Sequence, residues 1–215
     1  MKRLGICIAM TIAMTSSSYG VPLTFSDEAT FLAAASPVTL ESFESLTLAV
    51  ASNPPTDVGP FTVSSNNHYG ITASLYKGMH PTDGTNYLRA FHPEGSTTLP
   101  SVLTFSFDTP VLSFGVNITD FGESPVIDAQ LTFGNDLGQE VVIDETIVSP
   151  PNPDGNAMFF GFIGDAPFST VTITAISGDG VGYDEIYFQS VPEPSSIAMA
   201  TLGLLGLGVL IWRRR

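Results

Sequence analysis

The chain has 215 residues and one cysteine, with 21 acidic residues against seven lysines and arginines. Five of those seven cations lie in the first three or last three positions, so residues 21–190 carry 20 acids, two bases and a formal charge of −18. This charge excludes nucleic acid as a partner, because neutralising phosphates requires a basic surface. It suits solubility outside the cell and attraction of divalent cations.

The first twenty residues have the pattern of a secretory signal peptide. Lys2 and Arg3 supply its charged end, the apolar segment 4–14 follows, and a run of small residues leads to an expected cleavage after Gly20. Cleavage there would remove Cys7, so the exported chain would contain neither a disulfide nor a thiol nucleophile. The body that follows, residues 21–190, has the length of one domain with one core.

A short helix is predicted at the start of the body, in the sequence TFSDEATFLAAAS from Thr24. Ser26 is the expected N-cap, and Asp27 and Glu28 favour the first turn because acids interact well with a helix N-terminus. Phe31 can anchor one side of this helix to a core.

After the helix, the chain predicts ten strands separated by turn sequences such as NNHYG, GNDLGQ and PPNPDG. The predicted strands are 38–43, 71–76, 85–91, 101–107, 111–119, 127–133, 140–148, 157–163, 168–176 and 183–188.

The hydrophobic period in these segments is two. Leu103, Phe105 and Phe107 alternate with Thr104 and Ser106, so each strand is expected to bury one face. Many short strands without intervening helical patterns predict an all-β fold, an antiparallel β-sandwich with Greek-key or jelly-roll connections.

The last 25 residues, from Val191, divide into three parts with different physical properties. They are the triplet Pro192, Glu193 and Pro194; the uncharged run 197–212; and the cluster Arg213, Arg214 and Arg215. The prolines keep the triplet extended and outside any sheet or helix. The run would form a helix of about 24 Å, which can span a membrane when flanking arginines snorkel. A buried helix of a soluble protein is disfavoured because the run has no polar face.

In this order, VPEP, the Gly- and Leu-rich run and the terminal RRR resemble the PEP-CTERM sorting signal of Gram-negative bacteria. The resemblance implies recognition at Pro192, Glu193 and Pro194 by a membrane protease of the exosortase type. The arginine cluster would hold the C-terminus in the cytoplasm. The precursor would then be anchored in the inner membrane, with its body delivered to the cell surface or the extracellular matrix.

Asp184, in the predicted last strand, has the same alternation phase as Ile186 and Phe188, which predicts a carboxylate facing the core. A buried carboxylate must be paired or bound, and Lys77 and Arg89 are the body's two cations. Calcium or backbone N–H groups are therefore the expected partners.

The segments TFSFDTPVLSFGVNITDFG and FFGFIGDAPFSTVTITA, closed by GYDEIYF, resemble the jelly-roll ectodomains that precede this sorting signal. In jelly-roll carbohydrate-binding modules, a structural calcium often joins an acid of an early strand to an acid of the last strand. The resemblance implies Glu44 and Asp184 as such a calcium pair, with a hydrogen-bonded Asp184 as the alternative.

Catalytic motifs do not occur in the sequence of the body. His68, His80 and His92 are 12 residues apart and lack the spacing of zinc ligands. No serine occurs in a G-x-S-x-G context. The many acids leave a glycosidase-type carboxylate pair open. We expect a protein that is not an enzyme.

Three functions are consistent with these features. The first is a non-enzymatic envelope or extracellular-matrix protein that binds extracellular polysaccharide, and the second is a secreted carbohydrate-active hydrolase that uses loop carboxylates. Exposed aromatic side chains would favour the first, and two close carboxylates would favour the second. The third is ice binding, since Thr170, Thr172 and Thr174 form one outward row, although a flat ice-binding face needs several rows and no sequence repeat supplies them.

Overall fold

The computed structural model describes residues 20–47, 55–75, 78–91, 100–121, 130–144, 156–176 and 180–191. Within these ranges, 62% of the residues lie in strands, and every strand pairing is antiparallel. The predicted antiparallel all-β fold with a short N-terminal helix is confirmed. The elements are β1 Leu23–Phe25, α1 Glu28–Ala35, β2 Thr39–Glu41, β3 Thr56–Asp57, β4 Phe61–Ser65, β5 Tyr69–Thr72, β6 Tyr87–Phe91, β7 Ser101–Thr119, β8 Gln130–Asn135, β9 Glu140–Asp144, β10 Ala157–Ala175 and β11 Gly180–Ser190.

Several predictions fall outside the described residues. They concern the segment 1–19 of the signal peptide, His92, the Pro-Glu-Pro triplet, the run 197–212 and the arginine cluster at 213–215. The described part of the chain contains no helix of the length and apolarity that crossing a membrane requires. The jelly-roll connectivity stays a prediction.

The strand boundaries differ from the sequence prediction in two ways. The pairs 101–107 with 111–119 and 157–163 with 168–176 each form one long strand, β7 and β10, because the chain continues through residues that read as turns. The prediction also missed β1, β3 and β4, of which β4 begins directly after Gly59 and Pro60 in a turn-rich sequence. Glycine and proline therefore mark bends inside this sheet as well as turns between strands.

The N-cap of α1 is Asp27 and not the predicted Ser26. Asp27 Oδ1 accepts a hydrogen bond from the Thr30 backbone N at 2.8 Å and another from the Thr30 hydroxyl at 2.6 Å. These bonds, that of the hydroxyl first, lower the pKa of Asp27. Asp27 is the N-cap because its side-chain oxygen accepts a hydrogen bond from the backbone N of the third residue of the helix.

The eleven strands form one continuous sheet that bends within β7 and β10 and packs against itself as two layers. The pairing of β10 with β7 shifts register between Ile163 and Phe168 and again between Phe168 and Thr170, and the second shift lies opposite the stretch of β7 that contains Pro110. Pro110 has no N–H for the ladder, which suits a bend. The first layer contains β3, β4, the first half of β7, the second half of β10, β8 and β9. The second layer contains β1, the first half of β10, the second half of β7, β11, β2, β6 and β5.

Phenylalanine rings fill the space between the layers. Phe61 of the first layer lies 5.9 Å from Phe188 of the second, and Phe133 lies 4.3 Å from Phe160, measured between ring centroids. Each of these rings is at least 93% buried. Burial of this apolar area is the main favourable term in folding, and the layers are arranged as in a β-sandwich.

The outer surface of the second layer is covered at one end by α1. Phe31 is fully buried there, against Phe25 and Phe159, with centroid distances of 5.6 and 5.4 Å. A Cβ atom at Gly115 or Gly161 would lie 2.8 or 2.7 Å from the Phe31 ring. These two glycines therefore let the ring lie directly on the strands.

Candidate functional site

The two predicted carboxylates, those of Glu44 and Asp184, both accept hydrogen bonds from one segment, residues 82–86, which we call the clamped loop. Asp184 is fully buried, as predicted. Its Oδ2 accepts hydrogen bonds from the backbone N of Thr82 at 2.8 Å and of Asp83 at 3.0 Å, and Oδ1 accepts one from the N of Glu185 at 2.8 Å. Backbone N–H groups are thus the partners of this carboxylate.

Glu44 holds the other end of the clamped loop. Its Oε1 accepts hydrogen bonds from the backbone N of Thr85 at 2.7 Å and of Asn86 at 2.6 Å, while Asn86 Nδ2 donates to the Phe43 carbonyl at 3.1 Å. Gly84 between the two ends has φ +58, and a Cβ there would lie 2.5 Å from the Glu44 carboxyl carbon. The loop therefore needs glycine at this turn.

The sequence predicted that Asp184 is buried and faces the core between the layers. The burial is confirmed, but the side chain lies on the opposite face of β11. Asp184 pairs with Asn117 and Tyr187 with Gly115, so two residues of β11, Glu185 and Ile186, oppose one of β7. This bulge, at Glu185 with φ +50, reverses the alternation. Asp184 consequently lies on the outer surface of the second layer, opposite the core face of Phe188, and the clamped loop buries it.

The two carboxylates of the clamp have opposite pKa shifts. Burial raises the pKa of Asp184, and the N–H groups of Asp83, Thr82 and Glu185 only partly offset that effect. The N–H groups of Asn86 and Thr85 lower the pKa of Glu44. The difference follows from solvent access, because the charged form is penalised by desolvation only where water is excluded.

The donor set does not fit the calcium site that the resemblance implied for Glu44 and Asp184. Calcium takes about six to eight oxygen ligands, whereas both oxygens of Asp184 and one of Glu44 already accept N–H groups. No group of three or more histidine, cysteine, aspartate or glutamate side chains in the described ranges is placed to hold a metal.

Beside the clamped loop lies a second cluster that the sequence did not reveal, which we call the carboxylate junction. Tyr187 Oη lies 2.7 Å from Glu28 Oε1 and 3.0 Å from Glu185 Oε1. Asn117 Nδ2 donates to Glu28 Oε2 at 3.2 Å and to Glu185 Oε2 at 2.8 Å. Thr82 Oγ1 donates to Glu185 Oε2 at 2.9 Å. One pair of carboxylates therefore ties α1, β7, β11 and the loop together.

Tyr187 is a neutral donor in this cluster. Burial, followed by its hydrogen bonds to Glu28 and Glu185, raises the pKa of Tyr187 well above its usual range. Both carboxylates are half-buried, and each already has two or more hydrogen-bond donors. The arrangement is that of a structural junction more than of an open acid–base pair.

The outer surface of the first layer carries a flat array of hydroxyl groups, which we call the hydroxyl face. Residues paired across adjacent strands point to the same side, so the register aligns the hydroxyls in three rows. The rows are Thr62, Ser106 and Thr170; Ser64, Thr104 and Thr172; and Val102, Thr174, Thr132 and Val142. Neighbouring strands lie ~4.8 Å apart, and alternate residues along a strand ~6.7 Å apart.

Eight hydroxyl residues of this face are partly exposed, and no charged side chain lies within the three rows. Three acids lie at its margins: Asp57, paired with Thr62; Glu140, paired with Gly134; and Asp136, whose carboxylate accepts from the backbone N of Ser169 and Thr170. Threonine favours strands and often occupies solvated positions. The rows therefore form an uncharged area on a body whose formal charge is −18.

The aromatic side chains whose burial the structure describes are buried or half-buried, and none is among the exposed large hydrophobic residues. A stacking platform for sugars is therefore not found there. His68 is exposed, and His80 Nδ1 lies 2.8 Å from the Gly78 carbonyl oxygen. These two histidines are not brought together with other metal-ligating side chains.

The last hydrogen bonds of the sheet lie at the exit of β11. Ser190 pairs with Val111, and the Val191 backbone N donates to the Pro110 carbonyl at 2.8 Å. Pro192 follows and has no N–H to continue the ladder. The first residue of VPEP thus makes the last hydrogen bond that the described residues contribute to the sheet.

Comparison with known proteins identifies this C-terminal segment. Residues 190–215 match the family model of the PEP-CTERM protein-sorting motif, which implies an exported protein processed by an exosortase. None of the curated proteins matches the chain.

Solved structures with low similarity include three β-rich proteins. The K2 cleaved adhesin domain of Lys-gingipain is 14% identical over 71% of this chain and 99% of its own, with a TM-score of 0.47. A Stig cyclase from Fischerella sp. TAU is 12% identical over 71% and 94%, with a TM-score of 0.41. A family 29 carbohydrate-binding module is 11% identical over 75% and 95%, with a TM-score of 0.39.

Proposed function

We propose that this chain is a non-enzymatic envelope or extracellular-matrix protein, exported through the inner membrane behind a signal peptide and cleaved at VPEP by an exosortase-type protease. Before cleavage, the run 197–212 would anchor the precursor as a transmembrane helix, with Arg213–Arg215 in the cytoplasm. The main observation that supports this proposal is that the sorting motif begins at Ser190, the last residue of β11. Cleavage at VPEP would therefore release a complete sandwich, jelly-roll in its connectivity.

The sorting proposal is tested by Glu193→Ala in the full chain. Full-length precursor should accumulate in the membrane, because the protease loses the acid of its recognition motif. The melting temperature should not change, because Glu193 follows the last hydrogen bond of the sheet. Glu140→Ala, a change at an exposed acid of the body, is the matched control and should be trimmed normally. Normal trimming of the Glu193 variant would contradict the proposal.

For the released body we propose binding of a neutral extracellular polysaccharide at the hydroxyl face. The strongly acidic body repels anionic polymers, and the uncharged rows present hydroxyls at a regular spacing to a repeating polymer of hydroxyls. Hydrogen bonds and bridging water would supply the contacts in the absence of an aromatic platform.

A glycan array measures this directly, with the exported protein applied with and without calcium. Thr104→Glu with Thr172→Glu should abolish binding, because charge enters the middle row of the face. Thr24→Glu on the exposed β1 is the matched control and should bind normally. Equal binding by all three proteins would place the ligand elsewhere, and binding that depends on calcium would contradict the hydrogen-bonded assignment of the clamp.

Two other functions each have one supporting observation. For a secreted hydrolase, Glu28 and Glu185 share one tyrosine hydroxyl, and a close carboxyl pair is what retaining glycosidases use, at ~5–5.5 Å. Release of reducing sugar that Glu185→Gln abolishes would support it. For ice binding, the three rows supply the neighbours that the single threonine row lacked, and inhibition of ice recrystallisation is the measurement.

A further inference from the structure

We infer that the signal peptide is removed after Ser18, so that the mature chain begins at Tyr19 and keeps Gly20. This inference rests on the proposed export of the chain and replaces the cleavage after Gly20 that the sequence suggested. It comes from the contacts that Gly20 makes with the folded body.

Both backbone groups of Gly20 are bound by the body. Its N donates to Asp165 Oδ2 at 2.6 Å, and its carbonyl accepts from Gln139 Nε2, also at 2.6 Å. Gln139 Nε2 also donates to Asp165 Oδ1 at 2.9 Å, which closes a ring of three groups. The two partners are 145 and 119 residues away in sequence, so the start of the body is fixed by tertiary structure.

The amide of Gln139 is oriented for this role. Asn135 Nδ2 donates to Gln139 Oε1 at 2.9 Å, so Nε2 must point toward Gly20 and Asp165. Both hydrogens of Nε2 are then used, and Gln139 is 93% buried. A buried amide with every hydrogen bond satisfied is costly to leave without an acceptor.

A cut after Gly20 would remove a member of this ring. Gln139 Nε2 would lose its acceptor and Asp165 the N–H at 2.6 Å, although both side chains are placed to receive that residue. The side chain of Val21, which is apolar and 90% exposed, offers Gln139 Nε2 no acceptor in place of the Gly20 carbonyl. The body is therefore built to include Gly20.

The sequence offers a suitable site two residues earlier. Signal peptidases require small residues at the first and third positions before the cut, and Ser18 and Ser16 meet this requirement. A cut after Tyr19 is excluded by the size of tyrosine.

The test is N-terminal sequencing and intact mass of the protein exported by a Gram-negative host from the full-length gene. We expect a chain that begins at Tyr19. A chain that begins at Val21 would overturn the inference and leave the proposed export intact. A chain that keeps Met1 would overturn the export itself.

Two variants sharpen the result. Ser16→Leu puts a large side chain three positions before the proposed cut and should eliminate the Tyr19 terminus. Gly20→Leu blocks the alternative cut in the same way and should leave the Tyr19 terminus unchanged. A Cβ at Gly20 meets Asp165 Oδ2 at 3.4 Å, an ordinary contact, so the fold tolerates a side chain there. Loss of processing in the Gly20 variant alone would overturn the inference.

A stability measurement gives an independent readout. The exported protein that begins at Tyr19 should melt higher than a version that begins at Val21, and Asp165→Asn with Gln139→Leu should remove that difference. Equal melting temperatures of the two unsubstituted versions would show that Gly20 contributes nothing and would overturn the inference.

Discussion

The two layers of the sheet differ in what lies on their outer surfaces. On the second layer, α1 covers one end and the clamped loop the other, with the carboxylate junction between them. On the first layer, the described residues form the hydroxyl face, whose side chains are partly exposed. One outer surface is thus buried under packed side chains and polar contacts, and the other is partly exposed.

The largest expected effect is at the covered surface. Phe31→Ala should reduce the free energy of unfolding by about 3–5 kcal/mol, because it removes a fully buried ring and leaves a cavity above two glycines. Denaturant unfolding gives the value. Gly115→Ala is the converse change and should cost about 1–3 kcal/mol by overpacking the same ring. A change under 1 kcal/mol for Phe31→Ala would show that α1 is not docked.

Asp184→Ala should have an intermediate effect, about 1–3 kcal/mol, because the N–H groups of Thr82, Asp83 and Glu185 lose their acceptor. Thermal melting in calcium and in chelator separates the two possible partners of this carboxylate. We expect wild-type curves that coincide. If wild type melts higher in calcium than in chelator and the variant does not, Asp184 binds calcium and the hydrogen-bonded assignment is wrong.

The sequence predicts the strands of this fold better than the contacts between them. Alternation over Leu103, Phe105 and Phe107 predicts both the strand and its buried face, because that pattern is local. The bulge at Glu185 and the sharing of Tyr187 by two carboxylates depend on register between distant strands, which a single sequence does not show.

The hydroxyl face illustrates the same limit. The segments FTVSS, LTFSF, QLTF and STVTIT each alternate hydroxyl with apolar residues, and this signal is present in the sequence. Their assembly into rows requires the order β4, β7, β10 and β8, which is non-local. The alternation of β11 indicated a buried Asp184, and the resemblance to jelly-roll modules indicated Glu44, but neither indicated the loop that they share.

A smaller effect is expected on the pH dependence of stability, which should differ between the two carboxylates that bind the clamped loop. The raised pKa of Asp184 means that its contribution to stability is largest below its ordinary value and is lost as pH rises through the folded value. The lowered pKa of Glu44 gives a contribution present above its ordinary value and lost as pH falls.

Melting temperatures on either side of about pH 4 test these signs. Relative to wild type, the melting temperature of Asp184→Asn should rise with increasing pH, whereas that of Glu44→Gln should fall. If the melting-temperature differences of both variants changed in the same direction with pH, the two carboxylates would not have opposite pKa shifts.

The smallest expected effect is at the hydroxyl face. Thr104→Ala together with Thr172→Ala should change the free energy of unfolding by no more than about 0.5 kcal/mol for each substitution, because these partly exposed side chains lie outside the core. Denaturant unfolding measures this, and glycan binding by the same variant should weaken because the middle row loses its hydroxyls. A loss above 2 kcal/mol would show that this surface is packed in the folded protein. It would then resemble the covered surface and could not serve as an open binding face.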